Sequence, residues 1–207
     1  MKVAIVGGTG AFGRALAKRL HEIGKDEVLV GSRDAERAQA TASELGIAGG
    51  LNHEIVAGAD LVVLAVKSNG TLETARELAA AIGTTPVLCV ASDLAFTAAG
   101  VLPGREERSL AEELSEIVRA PVASGLQSLS AAHLAAPELP DEDALICGDD
   151  PRAKELALEL AGRLVGGRAL DVGPLANSRA LEAMTAVILN VNREFGVTAG
   201  LRLTGLP

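Results

Sequence analysis

The sequence predicts an α/β protein of the Rossmann type, in which a doubly wound parallel sheet is followed by a small C-terminal α/β segment. Apolar runs that suit strands buried on both faces alternate with segments of helical periodicity along the chain. A glycine-rich turn joins the first apolar run to the first helical segment. Residues 137–143, rich in proline and acidic side chains, have the composition of a linker. We therefore expect two domains, over residues 1–140 and 141–207.

The glycine-rich turn lies between a predicted buried strand at residues 3–6 and a predicted helix at residues 14–20. It has the pattern G-x-G-x-x-G. Gly8 is expected to permit a tight turn, Gly10 the close approach of a pyrophosphate, and Gly13 the close packing of helix on strand. The free N–H groups at the helix start would face the anion. The pattern predicts a dinucleotide site, with a purely structural turn as the alternative; the residues are Gly8, Thr9, Gly10, Ala11, Phe12 and Gly13.

The second predicted strand, residues 27–30, indicates which dinucleotide binds. An NAD site has an acidic residue after this strand, whereas here Ser32, Arg33 and Arg37 follow. A hydroxyl and two guanidinium groups suit the 2′-phosphate of NADP, because arginine pairs with phosphate through bidentate, charge-assisted hydrogen bonds. Asp34 lies nearby, but it also suits the N-cap of the next helix. The alternative is that both arginines belong to a solvated helix face.

The rest of the first domain continues the alternation of strand and helix. The predicted elements are a helix at 34–45, a helical turn at 51–58, a strand at 61–66, a helix at 71–82 and a strand at 87–90. Ligands of such sheets lie beyond the carboxyl ends of the strands. We therefore add Val66, Lys67 and Ser68 to the cofactor-binding residues, and Lys67 could also bind a substrate carbonyl.

The second half is predicted to contain a polar loop at 100–107, a helix at 109–118, strands at 121–124, 144–150 and 168–172, and helices at 153–164 and 177–194. The last helix carries an apolar stripe suited to the core or to a subunit contact, formed by Leu181, Met184, Ile188 and Val191. His133 could be catalytic but lies among alanines with no acidic neighbour in sequence, and His21 and His53 fall on predicted surface segments, so we assign all three histidines to structure or solvent. We predict no catalytic side chain and no metal site.

The amino-acid composition limits the kinds of partner that the protein is expected to bind. The 207 residues carry a net charge of −8, which argues against a nucleic-acid surface. Only 1% of the residues are aromatic, so a planar ligand must be held by aliphatic side chains and backbone. Cys89 and Cys147 lie in separate apolar stretches and are expected to be buried free thiols in a reducing compartment. No apolar run approaches the roughly 20 residues of a membrane span, and we expect a cytoplasmic protein without a membrane partner.

Several motifs resemble the NADPH-dependent coenzyme F420 reductases. They are the glycine turn, Gly31-Ser32-Arg33, the Cys-Gly-Asp-Asp stretch at 147–150 and the Asp-Val-Gly-Pro-Leu-Ala-Asn-Ser-Arg stretch at 171–179. The resemblance implies an NADP-binding Rossmann domain over 1–140 and a C-terminal domain over 141–207 that binds the acceptor and forms a homodimer. It also implies hydride transfer between stacked nicotinamide and deazaflavin rings, for which positioning supplies most of the catalysis.

The resemblance places Thr9 at the nicotinamide ribose or diphosphate and Thr185 in the region that binds the acceptor ring. The chain differs from the family pattern in three places: Lys67-Ser68 replaces a proline and an aromatic residue, Gln127 replaces a histidine beside the deazaflavin, and Ala183 replaces a serine. We retain Gln127 and Thr185 as acceptor-binding residues.

The sequence therefore predicts an NADP-dependent oxidoreductase that transfers hydride between NADPH and a small-molecule acceptor, coenzyme F420 or a related compound. Because of the three differences, two alternatives stay open. One is a non-catalytic NADPH-binding sensor or regulatory protein, and the other is a reductase of a flavin, a ferric chelate or a small carbonyl.

Overall fold

The computed structural model describes residues 1–206. Their strands are β1 (Lys2–Val6), β2 (Glu27–Ser32), β3 (Ala48–Leu51), β4 (Leu61–Leu64), β5 (Val87–Cys89), β6 (Leu94–Thr97), β7 (Gly100–Pro103), β8 (Val122–Gly125), β9 (Ala144–Gly148) and β10 (Ala169–Asp171). The helices are α1 (Ala11–Ile23), α2 (Ala35–Leu45), α3 (Asn52–Ile55), α4 (Ser68–Ile82), α5 (Leu110–Ile117), α6 (Ala131–Ala135), α7 (Pro151–Leu164) and α8 (Ser178–Phe195), with a 3₁₀ turn at Leu175–Asn177.

Within the described residues, eight strands form one sheet in the order β10-β9-β8-β5-β4-β1-β2-β3, and β6 pairs with β7 as a separate hairpin. The pairs from β3 to β8 are parallel, which confirms the predicted Rossmann-type sheet. Strand β9 pairs antiparallel with β8, and β10 runs parallel to β9. The C-terminal strands therefore extend the same sheet in the opposite direction. The functional division at residue 140 remains a prediction.

The sheet is covered by helices on both faces, and this explains the apolar runs. Val3 and Ile5 of β1 pack with α1 and α7 on one face, while Ala4 and Val6 pack with α4 and α5 on the other. The side chains of β4 also alternate between the two faces of the sheet, and all four are buried. A strand with this environment gains apolar burial at every position and shows no polar alternation.

Two predicted helix ends are confirmed by their caps. The Asp34 carboxylate accepts a hydrogen bond from the Arg37 N–H at 3.1 Å and caps α2, which ends before the left-handed Gly46. Asp150 caps α7 in the same manner, with Pro151 in the first turn.

The main differences from the predictions lie in four strands. The polar loop predicted at 100–107 contains strand β7, which pairs with β6 in a hairpin missed by the sequence analysis because its large apolar side chains, Phe96 and Leu102, face outward. Strand β3 was missed because two of its four residues are glycine. Strand β4 ends at Leu64, two residues before its predicted end, because the chain turns there toward α4.

Both cysteines are buried and free, as predicted. Burial raises the pKa of each thiol to about 12. Among residues 1–206, no helix has both the length and the apolar character needed to cross a membrane. In the same part of the chain, no three His, Cys, Asp or Glu side chains gather as a group able to hold a metal ion.

Candidate functional site

The glycine turn connects β1 to α1 through close backbone contacts. Gly7 takes the left-handed conformation, with φ of +79°, and a Cβ there would lie 2.7 Å from the Ala65 carbonyl oxygen. Gly8 donates to the Ile5 and Gly31 carbonyls at 3.1 and 3.0 Å, and a Cβ on it would lie 2.9 Å from Val30. The positive φ of the tight turn therefore falls on Gly7, not on Gly8 as expected. Gly8 is required by close packing against β2.

Gly13 brings the start of α1 against this turn. A Cβ on Gly13 would lie 2.5 Å from the Gly7 carbonyl oxygen, so only glycine allows this approach. Gly10 is the N-cap of α1 and supplies no side-chain cap for the N–H groups of the first turn. Those donors and the positive end of the helix dipole remain available to an anion.

A cavity of about 350 Å³ opens beside the glycine turn. Its lining includes seven of the predicted cofactor residues: Thr9, Gly10, Ser32, Arg33, Arg37, Val66 and Lys67. Of the other predicted residues, Gly8 and Gly13 are buried in the turn, Ala11 and Phe12 belong to the first turn of α1, and Ser68 begins α4. Asn52 and Thr74 also line the cavity and were not predicted. They come from α3 and α4, and no local motif marks them.

The cavity is cationic in a protein of net negative charge. Arg33, Arg37 and Lys67 are exposed, and the ion pairs found within residues 1–206 engage none of the three. Asp34 does not neutralise this group through an ion pair, since its carboxylate caps α2 and its N–H donates to the Ser32 hydroxyl at 3.1 Å. Three cations without an acidic partner suit a phosphate-bearing ligand.

The two predicted acceptor residues are brought into contact. The Thr185 hydroxyl of α8 donates to the Gln127 carbonyl at 3.1 Å and also pairs with the Ser92 hydroxyl at 2.9 Å. Ser92 follows β5 and Gln127 follows β8, so both lie beyond the carboxyl ends of parallel strands. The structure thus joins the predicted pair with Ser92 in one polar group.

The Gln127 side chain is buried, and only its amide nitrogen makes hydrogen bonds to the described residues. Its amide nitrogen donates to the Ser124 hydroxyl at 2.7 Å and to the Cys89 carbonyl at 3.4 Å. Its amide oxygen is buried without a hydrogen-bond partner among the described residues. The preceding residue, Leu126, is buried with φ of +69°, a strained conformation for a leucine. An unsatisfied acceptor and backbone strain at one place are typical of functional sites.

His133 has an acidic partner that lies nine residues away in the sequence. Its ring nitrogen Nδ1 pairs closely with the buried carboxylate of Glu142, across the predicted linker. The two residues line a second cavity of about 330 Å³, formed with the C-terminal segment at residues 200–202. This cavity shares no lining residue with the cationic one. The acidic partner was missed because folding, not sequence proximity, brings it to the histidine.

The fold and the cavity define the class of protein: a Rossmann-type α/β protein with a glycine turn and a cationic cavity built to hold a phosphorylated ligand. Residues 2–91 match the model of a family described as NADP oxidoreductase, coenzyme F420-dependent. The full chain is 33% identical to the F420-dependent NADP reductases of Methanothermobacter thermautotrophicus and Methanocaldococcus jannaschii, with alignments covering 96% and 99% of those proteins. The chain belongs to this family of oxidoreductase enzymes.

Solved structures agree with the fold. A candidate F420-dependent NADP reductase from Arthrobacter sp. FB24 superimposes with a TM-score of 0.85 at 22% identity, covering 99% of both chains. A pyrroline carboxylate reductase from Plasmodium falciparum, solved with NADP bound, has a TM-score of 0.59 at 14% identity, covering 98% of this chain and 71% of that one. At these identities the likeness shows the fold alone.

Proposed function

We propose that this protein transfers hydride between NADPH and coenzyme F420. The observation that carries the proposal is the contact between Gln127 and Thr185, placed at the same edge of the sheet as the cationic cavity. Membership of the family supports the two substrates, because its curated relatives are named for both.

The cationic cavity fits NADP. Ser32, Arg33 and Arg37 are grouped where the 2′-phosphate would bind, and the free N–H groups at the start of α1 face the position of the diphosphate. A side chain at Gly7 or Gly13 would clash with neighbouring backbone atoms, so both glycines maintain the turn beside the cavity. When bound, the nicotinamide supplies the hydride.

The residues after β5 and β8 would position the acceptor ring. Gln127, whose buried amide oxygen has no partner among the described residues, and the Thr185 hydroxyl belong to the loop region that would border a planar heterocycle. Because the reaction requires two rings to stack in one orientation, the task of these residues is positioning and exclusion of water. No protein nucleophile is needed.

A stopped-flow assay of NADPH oxidation with F420, FMN, FAD and ferric chelates tests the proposal. We expect rapid turnover with F420 and little with the others. Turnover with another acceptor alone would reassign the second substrate. NADPH binding without turnover of any acceptor would favour the non-catalytic sensor, a role consistent with the inward hydrogen bonds of the Gln127 side chain.

We also propose a homodimer built on α8 and the β6–β7 hairpin. The predicted stripe is partly buried, since Leu181 packs in a small core cluster. The exposed stripe instead contains Val187, Val191 and Phe195, at helical spacing of four residues. Phe96 and Leu102 of the hairpin are exposed as well, and the hairpin packs against α8. These five side chains, which we call the α8 patch, form an apolar surface typical of an interface.

A further inference from the structure

Helix α8 joins the loops beyond β5 and β8 through a line of polar side chains. Ser178 pairs with the Ser109 hydroxyl at 2.5 Å, Glu182 lies one turn later, and Thr185 contacts Ser92 and Gln127. Positions 178, 182 and 185 share one helix face. This face meets the polar loops at the carboxyl edge of the sheet, so it continues directly into the proposed acceptor site.

Glu182 is the charged member of this line and is 4% exposed. Its carboxyl accepts a hydrogen bond from the Leu110 N–H at 2.8 Å, in the first turn of α5, and a longer one from the Asp93 N–H at 3.5 Å. Asp93 directly follows Ser92, whose hydroxyl contacts Thr185. One carboxyl therefore holds the loop after β5 and the start of α5 against α8.

We propose that Glu182 is a positioning residue for the acceptor, acting through the loop that carries Ser92. The inference rests on the proposed function, because it assigns the Ser92–Thr185 contact to the acceptor site. Glu182 lies outside the lining of the cationic cavity, so its effect should be confined to the acceptor.

The protonation state of Glu182 should change how strongly its carboxyl holds the loop after β5 and the start of α5 against α8. Burial raises its pKa to about 7, against the opposing effect of the backbone N–H donors. Because the pKa is higher in the folded site than in water, the contacts of Glu182 are favoured while its carboxyl is protonated and weaken as it ionises. The charged or titratable groups on the elements around it are Asp93, Arg105, Glu112, Glu113, Arg179, Cys89 and Cys147. Of these, Arg105 favours the ionised form, and its guanidinium also pairs with Asp93 at 2.7 Å.

The first test compares Glu182→Gln with Glu77→Gln, a control on the exposed face of α4. We expect the KM for F420 to rise by about 10-fold or more in Glu182→Gln, because the amide nitrogen cannot accept from one of the two backbone N–H donors, while the Kd for NADPH stays within about 2-fold. The wild-type KM should rise as the pH rises through about 7, and the variant should lack this step. An unchanged KM and pH profile, or an equal loss of NADPH affinity, would overturn the proposal.

The second test uses hydrogen exchange in the wild-type protein and needs neither turnover nor a variant that folds. After correction for intrinsic exchange rates, the amides of Asp93 and Leu110 should be better protected at pH 6 than at pH 8, because ionisation favours opening of the site. Equal protection would contradict the positioning role. If F420 is not turned over but the protection changes as expected, the acceptor is misidentified and the hold of Glu182 on the loop stands.

Discussion

Two arginine side chains that follow β2 are expected to decide whether the protein prefers NADPH or NADH. Arg33 and Arg37 face the cationic cavity without an acidic partner among the described residues, while Asp34 is occupied as a helix cap. A 2′-phosphate would gain charge-assisted hydrogen bonds there that a 2′-hydroxyl would not. Cofactor preference should therefore depend on these side chains and little on the glycine turn, which both cofactors share.

Arg33→Ala is expected to weaken NADPH binding by about 10- to 150-fold, the effect of losing roughly 1.5–3 kcal/mol of charge-assisted hydrogen bonding. NADH binding should barely change. Titration of both cofactors by fluorescence measures the two constants. Arg76→Ala, on the exposed face of α4, is the control. An equal loss for both cofactors would show that Arg33 acts through folding.

Gln127→His is expected to raise F420 turnover and to introduce a pH step in kcat between about 5 and 8. An imidazole can change charge in this range, whereas the amide of glutamine cannot. The measurement is kcat at saturating F420 across pH, with Gln39→His on the exposed face of α2 as the control. If the variant binds NADPH normally but gains neither activity nor a step, residue 127 is not beside the acceptor ring.

At the scale of the element, α8 combines a polar face that joins loops with an apolar face that points outward. Its polar face includes a buried carboxyl whose pKa lies far above its usual range. The folded protein therefore holds a proton on Glu182 at pH values where the unfolded chain has released it. This contribution to stability is complete below about 4.5 and is lost as the pH rises through about 7.

The free energy of unfolding of the wild type, relative to Glu182→Gln, should accordingly fall by about 3 kcal/mol between pH 4.5 and pH 8. Urea denaturation of both proteins at several pH values measures the difference. A constant difference would mean that Glu182 has an ordinary pKa in the folded state. A rising difference would mean that the carboxylate is favoured over the acid.

At the scale of the whole molecule, the α8 patch leaves large apolar side chains in contact with solvent. Val187→Glu should convert a dimer into a monomer, because a buried unpaired charge is costly at an interface. Val187 is 59% exposed within one chain, so the change should leave the fold of the monomer intact. Light scattering of the wild type, the variant and the control Leu139→Glu measures the mass. A wild-type monomer at micromolar concentration would reject the dimer.

The sequence predicted those parts of the molecule whose cause is local. The glycine turn, the arginines after β2 and the caps at Asp34 and Asp150 each depend on a few consecutive residues. Other features depend on contacts between distant segments, as for Glu182 with α5, Asn52 in the cavity and His133 with Glu142. A resemblance pointed to Gln127 and Thr185, but only the structure shows that they touch through backbone and hydroxyl.

The two buried cysteine thiols can report which part of the central sheet opens first. Cys89 on β5 and Cys147 on β9 flank β8, and each must be exposed by local opening before an alkylating reagent can reach it. Because β9 lies beside the edge strand β10 whereas β5 lies in the middle of the sheet, we expect iodoacetamide to label Cys147 faster than Cys89 in the native protein, as measured by mass spectrometry. Unequal rates would reveal the C-terminal strands as a separately opening unit, and equal rates would show that the sheet opens as one across residue 140.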